Sequence, residues 1–400
     1  MKKNIYNYLV IYFIALMFFS TFFLFNKHNV QIDSTINEWI INYYGGFTKR
    51  GIIGEISIFF SSVLSISLRD TIFYLQVILL GTYFFCLLNF LREVDCNRTI
   101  LLSIFTPIFI LYPIAEIEVL ARKEIFIFIF FLIYLFIPTE KKIFQNIYKT
   151  IFLVLGILIW EPIIFFFPFW ITIDIIRNKF NKLDINFFTN FIYYIPAITL
   201  GFYIALNPMT DANHVIMSDF LKLNFNENCY GACALLKSKS SIYDNIIDTV
   251  RLLSLEVFVR YFLIIVIGFS PLILLLLIFK INSNKYLFFK SFDNLLFPFL
   301  IILSPVLFLF LMGVDWGRWV NISYFHAIIF FIYLYKNNYI TITKDKSNLI
   351  NLSFISKKIF IFLFIIFCFG WAPKTLLTGD VGSFPGYRIP YKVIKMVFIN

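Results

Sequence analysis

The chain is predicted to be an all-α, polytopic integral membrane protein, and three observations support this fold class. Of its 400 residues, 60% are hydrophobic and only 14% are charged, whereas soluble domains carry about a quarter charged residues. The mean hydropathy is +0.84. The apolar residues are concentrated in successive long runs, and a helix needs ~20 apolar residues to cross a bilayer.

About eleven runs are long enough to be predicted as membrane spans. The 150–176 stretch is divided into two spans, because Glu161-Pro162 would bury a carboxylate and break a single helix. The first run follows Met1-Lys2-Lys3 and is predicted to be a retained span instead of a cleaved signal peptide. The predicted spans lie at about 5–25, 71–91, 99–114, 124–138, 150–161, 162–176, 187–206, 255–279, 291–313, 321–335 and 359–373.

The net charge of +11 is explained mainly by topology, because Lys and Arg collect in cytoplasmic loops. With the N-terminus inside, the predicted cytoplasmic loops are basic or neutral, and the C-terminus is expected outside. Residues 1–400 then form a single membrane domain with outer segments at 27–70, 207–254 and 374–400. The apolar piece 52–67 is predicted to be interfacial or re-entrant, because a full crossing would reverse every later loop.

Two cysteines lie close together in the 207–254 segment, and Cys229 and Cys233 could form a disulfide if that side is oxidising. Their spacing is not a zinc pattern without further ligands. The histidines His28, His214 and His326 form no metal-like cluster along the sequence. No metal and no cofactor are therefore expected.

A glycine-rich string, Gly45-Gly46-Phe47-Thr48-Lys49-Arg50-Gly51-Ile52-Ile53-Gly54-Glu55, precedes an apolar helix. Glycine permits close backbone approach to a ligand, and the amides at a helix N-terminus favour anions. Lys49 and Arg50 would complement phosphate oxygens there. The alternative is a helix start that simply contacts lipid headgroups.

Five ionisable residues, Glu116, Glu118, Arg122, Lys123 and Glu124, fall in a turn between two apolar runs. This placement is costly unless the charges face an aqueous cavity or each other. Arg122 and Lys123 are candidates for binding pyrophosphate, and Glu116 or Glu118 is a candidate base. The alternative is a salt-bridged turn at the surface.

Two other positions offer candidate carboxylates. Glu161 stands before Pro162 between apolar runs, where it would either face a cavity as a general base or begin the next helix. Asp33 and Glu38 follow the first span, and a carboxylate there could be a base or a metal ligand. Asp33 is selected as the candidate, although the spacing is not a tight metal motif.

The string Asp315-Trp316-Gly317-Arg318-Trp319 is predicted to be a short turn on the outer side. Trp rings stack on sugars and also populate membrane interfaces. An interfacial belt would explain the two Trp residues but not Asp315 and Arg318 between them. Asp315 is therefore a candidate base, and Arg318, Trp316 and Trp319 are candidate substrate-binding residues.

Several function classes lack their sequence signatures in this chain. It contains no Walker A loop, no Gly-x-Ser-x-Gly elbow and no ladder of arginines typical of voltage sensors. Few acids or bases fall within the predicted spans, which argues against a proton-coupled transporter. No nucleic-acid partner is expected.

The candidate charges collect on the predicted outer face, and this layout resembles the O-antigen (Wzy-type) polymerases of bacterial surface-polysaccharide synthesis. The positions that match the family's periplasmic arginines are Arg50, Arg122 and Arg318, with Arg251 as a fourth. The resemblance implies a GT-C-like helical architecture and glycosyl transfer from a polyprenyl pyrophosphate carrier. It also implies a bacterial inner membrane, with the outer segments and the C-terminus in the periplasm. Three partners are implied: the lipid bilayer, a polyprenyl-pyrophosphate-linked glycan and a chain-length regulator.

Two alternatives remain open from the sequence. A GT-C glycosyltransferase using a polyprenyl-phosphate sugar is suggested by the long first outer loop, and a divalent metal is expected only in that case. The paired acids expected after the first span are missing, because Asp33 is followed by Ser34. A flippase or transporter of lipid-linked glycans would instead need cations along a central cavity.

Overall fold

A computed structural model provides the structure of the chain. It describes residues 3–30, 33–180, 182, 184–237, 242–282, 289, 292–342 and 350–377. Most of the predicted C-terminal segment, 374–400, therefore lies outside the described residues. The fold is built almost entirely from helices, which confirms the all-α prediction.

Seventeen helices in the described residues are numbered here in chain order. They are α1 Lys3–His28, α2 Ile52–Leu64, α3 Leu68–Leu91, α4 Arg98–Phe105, α5 Tyr112–Ala115, α6 Glu124–Phe136, α7 Lys142–Ile159, α8 Phe167–Arg177, α9 Ile185–Phe191, α10 Ile195–Leu206, α11 Asp211–Phe225, α12 Ile242–Leu252, α13 Leu255–Ile278, α14 Leu296–Leu303, α15 Leu307–Met312, α16 Trp316–Lys336 and α17 Lys357–Phe369. Short 3₁₀ helices occur at Ile117–Val119, Glu161–Phe166, Ile192–Tyr194, Ala234–Lys237 and Ser304–Val306. Two short strands, β1 Phe279–Ile281 and β2 Ile340–Ile342, pair antiparallel.

Five helical segments among the described residues are long and apolar enough to cross a membrane, in agreement with a membrane protein. They are Tyr6–His28, Leu68–Leu91, Lys142–Ile159, Ile185–Leu206 and Leu255–Ile278. Shorter apolar helices are Ile52–Leu64, Glu124–Phe136 and Leu296–Met312. The 13 residues of α2 reach only ~20 Å, less than the ~30 Å hydrocarbon core of a bilayer.

Two predicted segments differ from the structure. The predicted span at 99–114 is not one helix, because α4 ends at Phe105 and Thr106 adopts an extended ψ of 137° before Pro107. A residue preceding proline is disfavoured in the helical region. The predicted turn at 315–319 is instead the first turn of α16, which begins at Trp316.

Helix α16 forms the centre of the bundle. Every residue from Trp316 to Leu334 is buried, and the helix packs against α6, α8, α13, α14 and α15. Most side chains around this helix are apolar, as expected of a helix in a protein interior. Its N-terminal end therefore brings Arg318 to a position surrounded by other helix ends.

Candidate anion-binding site

Four of the predicted site segments stand at helix beginnings. Arg50 lies just before α2, Lys123 precedes α6, Glu161 opens a 3₁₀ helix before α8, and Asp315 precedes α16. The first backbone N–H groups of a helix lack intrahelical acceptors and carry a positive partial charge. Ion pairs join these helix beginnings to one another.

Glu38 lies in the middle of the group and is only 1% exposed. Its Oε1 atom is 3.2 Å from Arg318 Nη2, 3.4 Å from Arg122 Nη1 and 3.8 Å from Arg50 Nη1. One carboxylate is thus contacted by three guanidinium groups from three separate segments. We call this group the Glu38 cluster; its cations are Lys49, Arg50, Arg122, Lys123 and Arg318, and its carboxylates are Glu38, Glu124, Glu161 and Asp315.

The segment that carries Glu38 is held against the bundle by side-chain hydrogen bonds. Trp39 Nε1 donates to the Ala121 carbonyl at 3.1 Å, next to Arg122. Gln76 Nε2 on α3 donates to the Thr35 carbonyl at 2.8 Å. These contacts fix the position of Glu38 relative to Arg122.

The glycines of the 45–55 string allow helix α2 to pack closely on the preceding chain. A Cβ atom at Gly51 would overlap the Tyr43 ring, and one at Gly54 would overlap the Ile41 carbonyl oxygen. The expectation that these two glycines make room for a ligand is therefore wrong, because protein atoms fill that space. Arg50 itself has a φ of 64°, which turns the chain into α2.

Arg50 forms a bidentate pair with Glu161. Arg50 Nε is 2.8 Å from Oε2, and Nη2 is 2.8 Å from Oε1. Lys49 Nζ lies 3.8 Å from the same carboxylate. Burial tends to raise the pKa of Glu161, but the charges of Arg50 and Lys49 outweigh it and lower the pKa to about 2. Glu161 is therefore ionised at neutral pH.

Arg318 links the buried end of the cluster to its edge. Its guanidinium forms ion pairs with Glu124, Glu38 and, at 3.2 Å, Asp315 Oδ2. Arg122 Nη1 is 4.0 Å from Asp315 Oδ2. Because Arg318 and Arg122 both reach Glu38 and Asp315, the cluster is a connected network.

Burial affects Glu38 and Lys123 in different ways. Burial tends to raise the pKa of Glu38, but Arg318, Arg122 and Arg50 outweigh it and lower the pKa to about 2. Burial lowers the pKa of Lys123 to about 7, although nearby Glu38 opposes the change. Lys123 Nζ donates to the Arg50 carbonyl at 2.5 Å. A lysine with this pKa can gain or lose a proton near neutral pH.

The cluster has a partly exposed rim and a buried base. At the rim, Lys49 is 45% exposed and Glu161 and Asp315 are each 23% exposed. Arg50 and Arg122 are also partly exposed. Glu38, Lys123, Glu124 and Arg318 are buried behind them. An anion arriving at the rim would meet Lys49, Arg50 and Arg122 first.

A cavity of about 40 Å³ adjoins the cluster. Arg122, Glu124 and Arg318 line it together with mostly apolar side chains. Glu124 Oε2 is buried and has no hydrogen-bond partner among the described residues. This volume is enough to hold water, which would satisfy the carboxylate oxygen.

Two predicted base candidates lie outside the cluster's network of contacts. Asp33 pairs with Lys27 at 3.1 Å and accepts a hydrogen bond from the Thr35 amide at 2.6 Å. Glu116 pairs with Lys374 at 3.3 Å. Both carboxylates are buried, and a nearby lysine balances the charge of each.

The two predicted sugar-stacking residues are buried in the bundle. Trp316 Nε1 donates to the Phe310 carbonyl at 2.8 Å, and its ring packs against Tyr261. The Trp319 ring lies 6.0 Å from that of Trp160, and Arg318 lies over it at 5.5 Å. Neither ring offers an open face to a sugar in this structure.

The sequence prediction did not select Glu38 and gave Glu124 no role. Asp33 and Glu38 follow the same span, and their spacing gives no reason to choose between them. The cations in the predicted outer segments are the signal that could identify Glu38 and Glu124, because buried cations require carboxylate partners. Glu124 directly follows Arg122-Lys123 and was the nearest acid available.

A second group of potential ligands occurs around Cys229. Cys229 and Cys233 form a disulfide with Cα atoms 5.3 Å apart, which confirms the predicted bridge. His214 joins them, and the three potential metal-ligand atoms lie within 4.8 Å of one another. Metal binding requires thiolates, and the disulfide consumes both, so this group is not a metal site while the bridge is intact.

Comparison with known protein families, with curated proteins and with solved structures finds no match to this chain.

Proposed function

We propose that the chain polymerises lipid-linked oligosaccharide repeat units at the outer face of a bacterial inner membrane, as in O-antigen synthesis. This proposal includes the eleven-span topology with a cytoplasmic N-terminus and a GT-C-like architecture. Its main support is the convergence of Arg50, Arg122, Lys123 and Arg318 on one buried carboxylate, behind a partly open rim.

The cations would act on the donor's pyrophosphate. As the glycosyl C–O bond breaks, negative charge develops on the leaving polyprenyl pyrophosphate. Lys49, Arg50 and Arg122 stand at the rim to contact it, while Lys123 and Arg318 contribute from behind. Prearranged positive groups of this kind lower the barrier because they need not reorganise during the reaction.

The base that activates the acceptor hydroxyl would be one of the two rim carboxylates, Glu161 or Asp315. Bound phosphate would draw Arg50 and Lys49 away from Glu161. Losing these partners would raise the pKa of Glu161 towards the range useful for a base. Asp33 and Glu116 are less suitable for this role, because each is buried with its own lysine partner.

The GT-C glycosyltransferase using a polyprenyl-phosphate sugar remains the second candidate. Glu38 supplies a buried acid after α1, where that layout expects one. The three arginines around Glu38 would repel a divalent cation, however. This second candidate therefore fits best without a metal bound at Glu38.

Complementation of a gene deletion in the host tests the proposal. The deletion strain should display a single repeat unit on an otherwise complete glycolipid, and the wild-type gene should restore the ladder of longer chains on a gel. Arg50→Gln and Arg122→Gln should fail to restore it. Arg69→Gln is a matched control, because Arg69 is similarly buried and pairs bidentately with Glu227 away from the cluster.

Full-length ladders from both Arg50→Gln and Arg122→Gln would contradict the proposal. Loss of the repeat unit, or a repeat lacking one sugar, would favour the glycosyltransferase. Accumulation of complete lipid-linked units on the cytoplasmic side would favour the flippase.

A further inference from the structure

The segment that carries Glu38 is not held in place by a helix or a strand. Residues 33–42 form turns between α1 and α2, so their position depends on contacts with other parts of the chain. The bonds made by Trp39 and Gln76 supply two such contacts from the bundle. A further set of contacts comes from the outer segment 207–254, where a disulfide closes a short loop.

Tyr230 lies inside this disulfide-closed loop and bonds to the main chain of Asp33, 197 residues earlier in the sequence. Its hydroxyl donates to the Asp33 carbonyl oxygen at 2.5 Å and accepts a hydrogen bond from the Asp33 amide. One side chain thus binds both main-chain polar groups of a single residue. The loop therefore holds the beginning of the segment that carries Glu38.

Gly231 brings the same loop against the residue that directly precedes Glu38. Its φ is 54°, which favours glycine, and a Cβ atom there would lie 2.1 Å from Asn37 Nδ2. The loop and the segment are therefore in direct contact at both Asp33 and Asn37. This close approach requires the backbone of the loop to keep its shape.

The disulfide restricts that backbone. Cys229 and Cys233 are four positions apart, so the bridge encloses Tyr230 and Gly231 in a small ring, and a cross-link removes conformational freedom from the residues it encloses. Without the bridge, the loop would lose more entropy when it contacts residues 33–37. Reduction should therefore weaken the hold on the segment that carries Glu38.

The bridge is open to attack at one of its two sulfurs. Cys229 is partly exposed, whereas Cys233 is buried. A thiolate of a small dithiol can attack Cys229 Sγ, which breaks the S–S bond and releases Cys233 as a thiolate that takes up a proton. The second thiol of the reductant then attacks the mixed disulfide, forms the reductant's own disulfide and releases Cys229, whose sulfur lies 3.4 Å from His214 Nε2. Two electrons and two protons thus pass from the dithiol to the two cysteines.

We propose that the Cys229–Cys233 disulfide is a redox-sensitive clamp on the segment that carries Glu38, and that a dithiol reductant opens it. The closed clamp keeps Glu38 among its three arginines. A tethered carboxylate competes with an incoming anion for these cations at a high effective concentration, which falls when the tether loosens. The reduced protein should therefore bind anions more tightly. This last step rests on the proposed function, because it takes the Glu38 cluster as the anion-binding site.

Amide hydrogen exchange of the full-length protein in detergent micelles measures the clamp directly. Peptides from residues 33–42 should exchange about tenfold faster after reduction with dithiothreitol, because the contacts from the loop are weakened. Peptides from α8, at the other end of the bundle, should keep their rates. Alkylation in denaturant verifies the redox state, since three cysteines are free in the oxidised protein and all five are free after reduction.

Tyr230→Phe tests the clamp without breaking the disulfide. Removing the hydroxyl removes both bonds to Asp33, so residues 33–42 of the oxidised variant should already exchange about as fast as in the reduced wild type. Reduction should then add little. Tyr243→Phe is the matched control, because Tyr243 lies in the same outer segment but is 70% exposed. This control should behave like the wild type in both redox states.

Calorimetric titration with dimethyl pyrophosphate, a small dianion, tests the consequence for the Glu38 cluster. Reduction should tighten binding severalfold in the wild type and in Tyr243→Phe, and it should have little effect in Tyr230→Phe. The oxidised Tyr230→Phe protein should bind the dianion about as tightly as the reduced wild type.

Unchanged exchange of residues 33–42 after verified reduction would overturn the clamp, as would a bridge that dithiothreitol does not reduce in the folded protein. Faster exchange with an unchanged affinity would overturn its control of anion binding. Failure of the dianion to bind in either redox state would overturn that control together with the anion-binding basis of the proposed function. The exchange rates would still report separately on the clamp.

Discussion

Two groups of buried charges stand at opposite ends of the same helices, and they differ in how their charges are satisfied. The Glu38 cluster lies at the N-terminal ends of α6 and α16, where Lys123 and Arg318 are found. The second group, the Asp174 network, lies near their C-terminal ends and contains Tyr134, Lys149, Asp174, Arg177, Asn190, Tyr194 and Tyr333.

Asp174 is satisfied entirely by neighbouring side chains. It accepts hydrogen bonds from Lys149 at 2.5 Å, Tyr194 at 2.7 Å and Asn190 at 3.0 Å, and from Tyr134. Arg177 donates to the Tyr333 hydroxyl at 2.8 Å and lies over the Tyr134 ring at 4.7 Å. Lys149 and Asp174 are both buried. The network therefore joins α6, α7, α8 and α16 without offering a charge to a ligand.

The Glu38 cluster contrasts with this arrangement in two respects. Three arginines share one central carboxylate, and the rim residues Lys49, Glu161 and Asp315 are partly exposed. Burial of charge alone does not indicate function, because the Asp174 network is equally buried. A site that can exchange its internal ion-pair partners for a ligand is distinguished by an exposed rim and by counter-ions that several residues share.

The largest expected effect comes from breaking the Asp174 network. Lys149→Met leaves the buried Asp174 carboxylate without its cation, and breaking a buried ion pair costs about 3–5 kcal/mol. Thermal or denaturant unfolding in micelles should show this loss of stability, and the folded fraction should still bind dimethyl pyrophosphate normally. Adding Asp174→Asn should recover part of the loss. A Lys149→Met protein with wild-type stability would contradict the structural role of the network.

Breaking the rim of the Glu38 cluster should have the opposite pattern. Arg122 is only 13% exposed but stands at the rim, so Arg122→Gln should weaken dimethyl pyrophosphate binding at least tenfold, which is ~1.4 kcal/mol. Its loss of stability should be smaller than that of Lys149→Met. Arg69→Gln, with a similarly buried guanidinium, should leave the affinity unchanged. Equal affinities in Arg122→Gln and the wild type would remove Arg122 from the site.

The sequence predicted the residues of the Glu38 cluster better than it predicted their partners. The sequence predicts that charges in short turns between apolar runs, such as Arg122 and Glu161, lie together on the outer face of the bundle. The reason is that burying a charge within the membrane is costly. The structure does bring Arg50, Arg122, Lys123, Arg318 and Glu161 together. Their common partner depends on how residues 33–42 fold, and sequence spacing does not determine that.

The Asp174 network was missed for a related reason. Lys149 and Arg177 fall just outside the predicted spans 150–161 and 162–176, where positive charges usually belong to cytoplasmic loops. Helix α7 begins at Lys142, however, which places Lys149 two turns inside it. The same difficulty applies to Trp316 and Trp319, because Trp is common both at membrane interfaces and in packed interiors.

The pH dependence of stability should separate Lys123 from the other cluster residues. Burial lowers its pKa from 10.5 to about 7 in the folded protein, whereas the unfolded chain keeps the ordinary value. Between these values the unfolded state binds more protons, so the contribution of Lys123 to stability rises with pH from about 7 to 10.5. Unfolding midpoints from pH 6.5 to 9.5 should rise more steeply in the wild type than in Lys123→Met. Identical pH profiles would contradict the lowered pKa of Lys123.

The smallest effect is expected at Lys49, the most exposed cation of the cluster. Its Nζ atom lies 3.8 Å from Glu161 and its side chain is 45% exposed, and exposed pairs contribute only ~0–1 kcal/mol. Lys49→Gln should therefore weaken dimethyl pyrophosphate binding by no more than about fivefold. The difference from the wild type should shrink at ~1 M salt, because exposed charges are screened while buried ones are not. An effect as large as that of Arg122→Gln, and independent of salt, would mean that Lys49 closes over the ligand and that the rim is less open than the structure indicates.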